Sequence, residues 1–435
     1  MNDTISAQIK ALMPSVIKRR RDLHKHPEPG WTEFRTASIA ANRMKELGYI
    51  LTMGKDAVSK KHMMGAPSPE RLKNEQERAV SQGADPSLMP VMEGGLTGFW
   101  ADMTFNGGSG PRFALRFDMD SNDVQECSDP DHIPNKEGFA SINPGAMHAC
   151  GHDGHVAMGL AIAEILAGMK DHLKGSVRFI FQPAEEGVRG ARPMVEAGCC
   201  KDVDIILGMH IGFQAAHKGD IVCGTNGFLA TTKWDVHISG KGAHAGAAPH
   251  EGKNALLAAC AATTNLHAIP RHGDGVTRIT VGRLEGGQGR NIIPPNAFMA
   301  LETRGGTSEL DEYMTTEAAR IIKAAAAMWD CSCEIKVMGG TKGGESTPSM
   351  VERVEAIAHT IPHFSNVMGA LDFGASEDYS HMMSAVQRNG GIGDYIQIGT
   401  NRKAGHHNDH FDFEEDDLAA GVEIAVRLVK DYLGA

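Results

Sequence analysis

The residues Met147-His148-Ala149-Cys150-Gly151-His152-Asp153-Gly154-His155 hold the densest group of potential metal ligands in the chain. Thiolate and imidazole are strong side-chain donors for borderline divalent cations. One glycine separates Cys150 from His152, so a loop can aim both at one point. A lone Cys-Gly-His reads equally well as a small buried hydrophobe beside surface histidines. Three histidines and an aspartate crowding one loop, just before a helix, favour the metal reading. Glu185-Glu186 follows a strand pattern and Gln182-Pro183-Ala184. Adjacent carboxylates point in different directions, so one can ligate while the other takes a proton from water. An isolated Glu-Glu pair is ordinarily a solvated turn; a position after a buried strand, where open sheets build their sites, changes that reading. His210 ends the next apolar run and alone would be a core histidine. Gly405-His406-His407-Asn408-Asp409-His410-Phe411 follows the strand pattern Tyr395–Gly399. Four separate strand ends thus deliver Asp120, Glu185/Glu186, His210 and His407.

The elements that must position these groups follow from periodicity. Ile5, Ile9, Leu12, Val16 and Leu23 recur at helical spacing, and a second helix is predicted over about 36–47. Residues 55–95 are polar and Pro/Met-bearing, an inserted helical or loop segment. From about 96 strands alternate with helices: Phe113, Leu115 and Phe117 alternate into Asp118 and Asp120, a helix runs from Gly154 to about Lys170, Val177, Phe179 and Phe181 alternate, and Val203–Met209 is apolar. That rhythm predicts an α/β fold, a mostly parallel sheet flanked by helices. A second pattern, strand–helix–strand–strand–helix–strand over 225–338, predicts an inserted, smaller α+β, ferredoxin-like domain. Residues 339–348 read as a linker returning to the first domain, which comprises 1–224 and 339–435 and ends with helices near 349–360 and 414–432.

A chain of 435 residues is long enough for two domains. Its 54 Asp+Glu exceed its 43 Lys+Arg, a net charge of −11, which argues against a nucleic-acid footprint. The one dense basic run, Lys18-Arg19-Arg20-Arg21, reads as a solvated helical face near a helix end. Eight cysteines without framework spacing do not make a disulfide scaffold. Met1–Leu12 lacks the apolar core of a signal peptide, and no apolar run is long enough to span a bilayer. A cytoplasmic, non-membrane protein is expected.

Cys150–His155, Gln182-Pro183-Ala184-Glu185-Glu186 and His407-Asn408-Asp409-His410-Phe411, with Phe228–Lys233 and Ala243-His244-Ala245-Gly246, resemble the metallo-aminoacylase/carboxypeptidase superfamily, amidohydrolase branch, nearly end to end. The resemblance implies a metal-dependent hydrolase of the amide bond of an N-acyl amino acid, p-aminobenzoyl-glutamate first, with indole-3-acetyl-aspartate or another N-acyl amino acid as the alternative. It implies five ligands, Cys150, His152, Glu186, His210 and His407, holding two Mn²⁺ or Zn²⁺ ions, with Glu185 as general base and Asp120 orienting the site. It further implies a homodimer or a heterodimer with a homologous chain, joined through the small domain, whose His244 reaches the partner's active site. Asn291 and Arg304 match carboxylate-binding positions. Read without the resemblance, His244 is a loop histidine with no role and Arg304 a member of a surface ion pair. Gly374-Ala375-Ser376-Glu377-Asp378 resembles an active-site segment without an assigned step. The chain departs from the pattern at Asp409, where many relatives have proline, and at Ser121-Asn122-Asp123, in place of a more apolar stretch. Two rivals stand beside this reading: a non-catalytic, metal-binding partner chain, and a cysteine hydrolase using Cys150 with His152 or His155.

Overall fold

In the computed structural model, which describes residues 2–434, α1 (Asn2–Lys25) buries Ile5, Ile9, Val16 and Leu23 along one stripe. There follow α2 (Phe34–Glu46), β1 (Ile50–Met53), α3 (Pro69–Ser81), β2 (Phe99–Phe105), β3 (Arg112–Asp118), α4 (Ile133–Glu137), α5 (His152–Gly168), β4 (Gly175–Gln182), α6 (Ala191–Ala197), β5 (Ile205–Ile211) and β6 (Asp220–Asn226). Next come β7 (Ala230–Ser239), α7 (Ala255–His267), β8 (Thr277–Gly286), β9 (Asn296–Gly305), α8 (Ser308–Met328) and β10 (Ser332–Thr341). The chain closes with α9 (Pro348–Ala358), β11 (Asn366–Asp372), α10 (Tyr379–Arg388), β12 (Ile392–Ile398) and α11 (Leu418–Leu433). Two compact units result, one of residues 2–226, 345–373 and 378–434, the other of Gly227–Gly344 with Gly374–Glu377.

The first unit is built on a sheet of order β1-β2-β4-β3-β5-β12-β6-β11. Its four central strands, β4, β3, β5 and β12, are mutually parallel, as is the β6–β11 pair. The β1–β2, β2–β4 and β12–β6 pairs are antiparallel. Every residue of β4 and β5 is buried, which requires cover on both faces of the sheet. Parallel central strands put all four carboxyl ends on one edge, the edge where open α/β sheets build sites. Strand β5 runs one residue past His210, because the ladder with β12 continues through His210–Gln397 to Ile211–Ile398. The helix expected from Gly154 begins at His152: Gly151 takes the left-handed conformation (φ +95°) that caps α5, a conformation glycine adopts without strain. The 55–95 segment carries α3, capped by Ser68 Oγ accepting from Arg71 N, between short 3₁₀ turns.

The second unit is a four-stranded antiparallel sheet of order β10-β7-β9-β8. Val236, Ile238, Met299 and Leu301 of the sheet pack with Ala258, Ala262 and Leu266 of α7 and Met314, Ala318 and Ile322 of α8. Strand β10 runs into the segment expected as linker, since beyond a bulge at Val337/Gly339 its pairing with β7 continues to Thr341–Thr231. All eight cysteines are unpaired. Among the described residues no helix is long and apolar enough to cross a membrane.

The basic run of α1 is a solvated face only in part: Lys18 is exposed, but Arg20 is not. Arg20 is fully buried; its Nε donates to Asp153 Oδ2 at 2.9 Å, and its two terminal nitrogens donate to Asp412 Oδ1 and Glu415 Oε1 at 2.9 and 3.2 Å. Arg19 donates to Glu164 at 2.8 Å. Arg20 thus ties α1 to the start of α5 and to the segment that precedes α11. Replacing Arg20 by Met would leave Asp153 and Asp412 buried without their cation, a loss of about 3–5 kcal/mol. Urea unfolding should register it as a lowered midpoint, and a midpoint unchanged from wild type would show that the buried pair carries no such weight.

Candidate active site

The loop after β3 positions two elements at once. Asp120 Oδ1 and Oδ2 accept from the main-chain N–H groups of Glu185 and Glu186, both at 2.9 Å. The Asp120 carbonyl oxygen accepts from His152 Nδ1 at 2.8 Å. A carbonyl can only accept, so the proton of a neutral His152 lies on Nδ1 and the lone pair on Nε2. That Nε2 is buried and has no hydrogen-bond partner. Burial opposes a charged ring here, yet the Asp118 carboxylate and the hydrogen bond to Asp120 push the His152 pKa well above its ordinary value. His210 repeats the pattern: Nδ1 donates to the Ile211 carbonyl at 2.8 Å, leaving Nε2 3.5 Å from Cys150 Sγ. Histidines that bind metal characteristically have their second nitrogen fixed in this way.

Glu186 and His407 complete the group. Glu186 Oε1 lies 3.3 Å from His407 Nε2. The Glu186 carboxyl is held below its usual range, against the upward push of burial, by His407 and His152. His407 is raised to about 10 by Cys150 and Glu186. It adopts a left-handed backbone (φ +63°) and its N–H donates to the Ala149 carbonyl at 2.7 Å, which ties the late loop to the residue before Cys150. Asn122, one of the departures from the family pattern, holds that loop from the other side: its Oδ1 accepts from Ala149 N at 3.1 Å, and its backbone pairs with Met147.

The donor atoms of Cys150, His152 and His210 all lie within 4.8 Å of one another, as do those of Cys150, Glu186 and His407, and those of His152, Glu185 and Glu186. The structure therefore brings together all five residues expected as ligands, with Cys150 common to two triads and Glu185 beside both His152 and Glu186. Soft sulfur, three imidazoles and one carboxylate suit borderline divalent cations. A buried imidazole nitrogen without a partner is the kind of atom that a cation satisfies.

His155 lies beside this set, grouped with His152 and Asp118. Its Nδ1 is 2.6 Å from Asp118 Oδ1 and its Nε2 accepts from Ile211 N at 3.1 Å. Both nitrogens are engaged, so His155 has none to spare as base for a Cys150 nucleophile. Burial, then Glu186, push the Cys150 thiol up, which also disfavours a cysteine hydrolase.

The remaining candidates lie in the second unit. His244 is exposed, and its Nδ1 accepts from Gly246 N and Ala247 N at 3.2 and 3.1 Å. The proton of the neutral ring is thereby on Nε2, which leaves that nitrogen as a donor. Asn291 is adjacent: Ala245 N donates to the Asn291 carbonyl at 3.0 Å, and His244 pairs with Ile292. Arg304, on β9, donates from Nε and a terminal nitrogen to Glu302 at 2.8 and 3.3 Å, the ion pair that rivals its reading as a carboxylate binder.

Two residues to which the sequence assigns no role bear on the turn of the glutamates. Glu33 Oε1 accepts from Ala184 N at 2.8 Å, and Asp378 Oδ2 accepts from Gly190 N and Ala191 N at 2.9 and 2.8 Å. The only local signal for Glu33 is an acid beside Gly30-Trp31-Thr32; Asp378 belongs to the family-like segment without an assigned step.

The family model described as "Peptidase family M20/M25/M40" matches residues 114–431. The chain is 44% identical to an indole-3-acetyl-aspartic acid hydrolase of Enterobacter agglomerans, over 96% of each sequence. It is 42% identical to one of the subunits of the p-aminobenzoyl-glutamate hydrolase of Escherichia coli, over 99% of this chain and 98% of that one. The solved structure of an aminobenzoyl-glutamate utilization protein from Klebsiella pneumoniae superposes with a TM-score of 0.84 at 37% identity, covering 97% of each chain.

The shared position of Cys150 sets a test. Metal analysis of the purified protein should find about two divalent ions per chain. Cys150→Ala should lose both, whereas His407→Ala should lose one. Equal loss from the two variants would show that Cys150 is not common to two sites.

Proposed function

The chain belongs to peptidase family M20/M25/M40, and on that premise we propose that it hydrolyses the amide bond of an N-acyl amino acid, p-aminobenzoyl-glutamate before all others. Family membership makes it a metal-dependent hydrolase of the amidohydrolase and peptidase kind. The single observation that carries the reading of the site is the convergence of Cys150, His152, Glu186, His210 and His407 with Glu185 at their side. The substrate reading rests on likeness to a p-aminobenzoyl-glutamate hydrolase chain; the comparable likeness to an indole-3-acetyl-aspartic acid hydrolase supports that amide as the alternative.

Cys150, His152 and His210 would hold one Mn²⁺ or Zn²⁺ ion, and Cys150, Glu186 and His407 a second. Bound there, such ions polarise a water and the scissile carbonyl and make a nucleophile available near neutral pH. Glu185 takes a proton from the attacking water as its oxygen bonds to the carbonyl carbon, and passes that proton to the leaving amine nitrogen as the C–N bond breaks. Asp120 fixes Glu185 through the main chain, and its carbonyl keeps His152 in the tautomer that can ligate. His244 of a second copy, or of a homologous chain, donates from Nε2 to the carbonyl oxygen as charge develops. Asn291 and Arg304 take the free carboxylate of the amino-acid half; Arg304 would share its guanidinium between Glu302 and that carboxylate. Retention of the whole ligand set and the base favours an enzyme over a non-catalytic partner chain.

Glu185→Gln should lower kcat on the order of 10²–10⁴-fold while metal content stays at the wild-type level. Turnover that survives the substitution would remove Glu185 from its role. His244→Ala should reduce kcat by about 10²–10³-fold with metal loading unchanged. Mixing His244→Ala and Glu185→Gln proteins under subunit exchange should restore part of the activity, and no recovery would exclude a histidine supplied by the partner.

A further inference from the structure

The turn that carries both glutamates is strained. Ala184 and Val188 have φ of +48° and +57°, a region costly for any residue with a side chain and worst for a β-branched one. The turn also closes on itself tightly. A Cβ at Gly190 would stand 1.6 Å from the Pro183 carbonyl oxygen, so only glycine fits there. Such a conformation persists only if its surroundings impose it. Its internal bonds are Val188 N to Glu185 O at 2.6 Å and Arg189 N to Ala184 O at 3.1 Å.

The rest of the restraint comes from buried carboxylates that accept main-chain N–H groups. Asp120 takes the middle of the turn, as described. Glu33 takes its entry, with Oε1 accepting from Ala184 N and from Trp31 N at 3.0 Å while Oε2 accepts from Thr97 Oγ1 at 2.6 Å. Asp378 takes its exit through Gly190 N and Ala191 N, while its Oδ1 accepts from Gln182 Nε2 at 2.7 Å and faces Arg116 at 3.4 Å. Glu33 and Asp378 are nearly or wholly excluded from solvent. Arg189 adds a brace, donating to the Glu186 carbonyl at 2.9 Å and to the Gly65 carbonyl of the inserted segment at 3.0 Å.

We propose that Glu33 and Asp378 are positioning residues for the hydrolysis: they clamp the entry and exit of the Ala184–Ala191 turn and so fix where the Glu185 carboxylate stands. The inference rests on the reading of Glu185 as general base. Both act through the main chain of the turn, and the Asp378 carboxyl also lies within 4.8 Å of the Glu185 carboxyl; neither acts on the substrate. The two clamps differ chemically. Gly190 N, Ala191 N, Gln182 Nε2 and Arg116 are all donors toward Asp378, so both of its oxygens must accept. Around Glu33, the Thr97 hydroxyl can reverse and accept. Burial, and after it the charge of Asp120, push the Glu33 carboxyl up, the direction that suits a donor facing Thr97.

This asymmetry predicts opposite responses to amide substitution, measured on the metal-loaded full-length enzyme with p-aminobenzoyl-glutamate. Glu33→Gln can accept from Ala184 and Trp31 and donate to Thr97, so kcat should stay within about threefold of wild type. Glu33→Leu, of similar size but without acceptors, should lose about 100-fold in kcat, as for a reacting group displaced by an ångström, with KM and metal content near wild type. Asp378→Asn must set its amide against donors on one side or the other and should lose kcat to a similar extent. The double variant Asp378→Asn/Gln182→Glu supplies an acceptor opposite that amide and should recover most of the loss. Wild-type kcat in Glu33→Leu or Asp378→Asn overturns the proposal. So does unfolding or metal loss in those variants without recovery in Glu33→Gln and the double variant, since the two residues would then serve only the fold. A wild-type enzyme inactive on p-aminobenzoyl-glutamate, indole-3-acetyl-aspartate and N-acetyl amino acids would instead sink the functional reading itself.

Discussion

Asp120 is engaged at both its side chain and its main chain. The carboxylate holds the N–H groups of Glu185 and Glu186, and the carbonyl of the same residue holds His152. One short loop after β3 therefore sets the proposed base and a proposed ligand against each other. The spacing between them does not depend on the mobility of long side chains. Every other feature of the centre is arranged around that fixed pair. His210 enters from β5, on one side of β3 in the sheet, the glutamates from β4 on the other, and His407 from the loop beyond β12. Since these four strands are parallel and neighbouring, the sheet delivers four chain segments to one edge without any of them crossing.

Around the centre lies a second layer of buried charge. Arg20 with Asp153, Asp412 and Glu415, and Arg116 with Asp118 and Asp378, place guanidinium groups where carboxylates would otherwise be stranded. Asp118 takes Arg116 at 2.6 Å on one oxygen and His155 at 2.6 Å on the other. Buried pairs of this kind contribute little net stability relative to apolar packing, but removing one partner is costly. They make the arrangement specific, because each carboxylate is satisfied in one geometry only.

Much of the centre is legible in sequence because its ligands cluster in short motifs that end apolar runs. Glu185-Glu186, His210 and His407 each stand at or after the end of a strand pattern, and the Cys150–His155 motif opens a helix pattern. Where sequence and structure part, the reasons are physical. Four consecutive basic residues in α1 resemble a solvated face, yet Arg20 follows Val16 by four and precedes Leu23 by three, so it lies on the apolar stripe. His24 continues the same stripe and is also buried, between Asp153 and Glu126. An imidazole interrupts an apolar run, so His210 reads as the end of its strand, whereas the hydrogen-bond ladder, indifferent to side chains, runs on to Ile211. The roles of Glu33 and Asp378 are invisible to local reading, since their partners are 151 and 188 residues away.

Those long separations bear on how the protein comes into being during synthesis. Glu33 and Asp120 emerge early from the ribosome, but Asp378 and His407, and the Asp412 and Glu415 anchors of Arg20, emerge only near the end. Until then the turn at Ala184 lacks its exit clamp and α1 lacks part of its counter-charge. A nascent chain must therefore keep its first helix and its half-finished sheet from associating wrongly over most of translation, a hazard for folds rich in parallel, non-local pairing. The inserted unit, whose strands and helices pair within one continuous stretch apart from Gly374–Glu377, can form while the surrounding sheet still waits for β11 and β12.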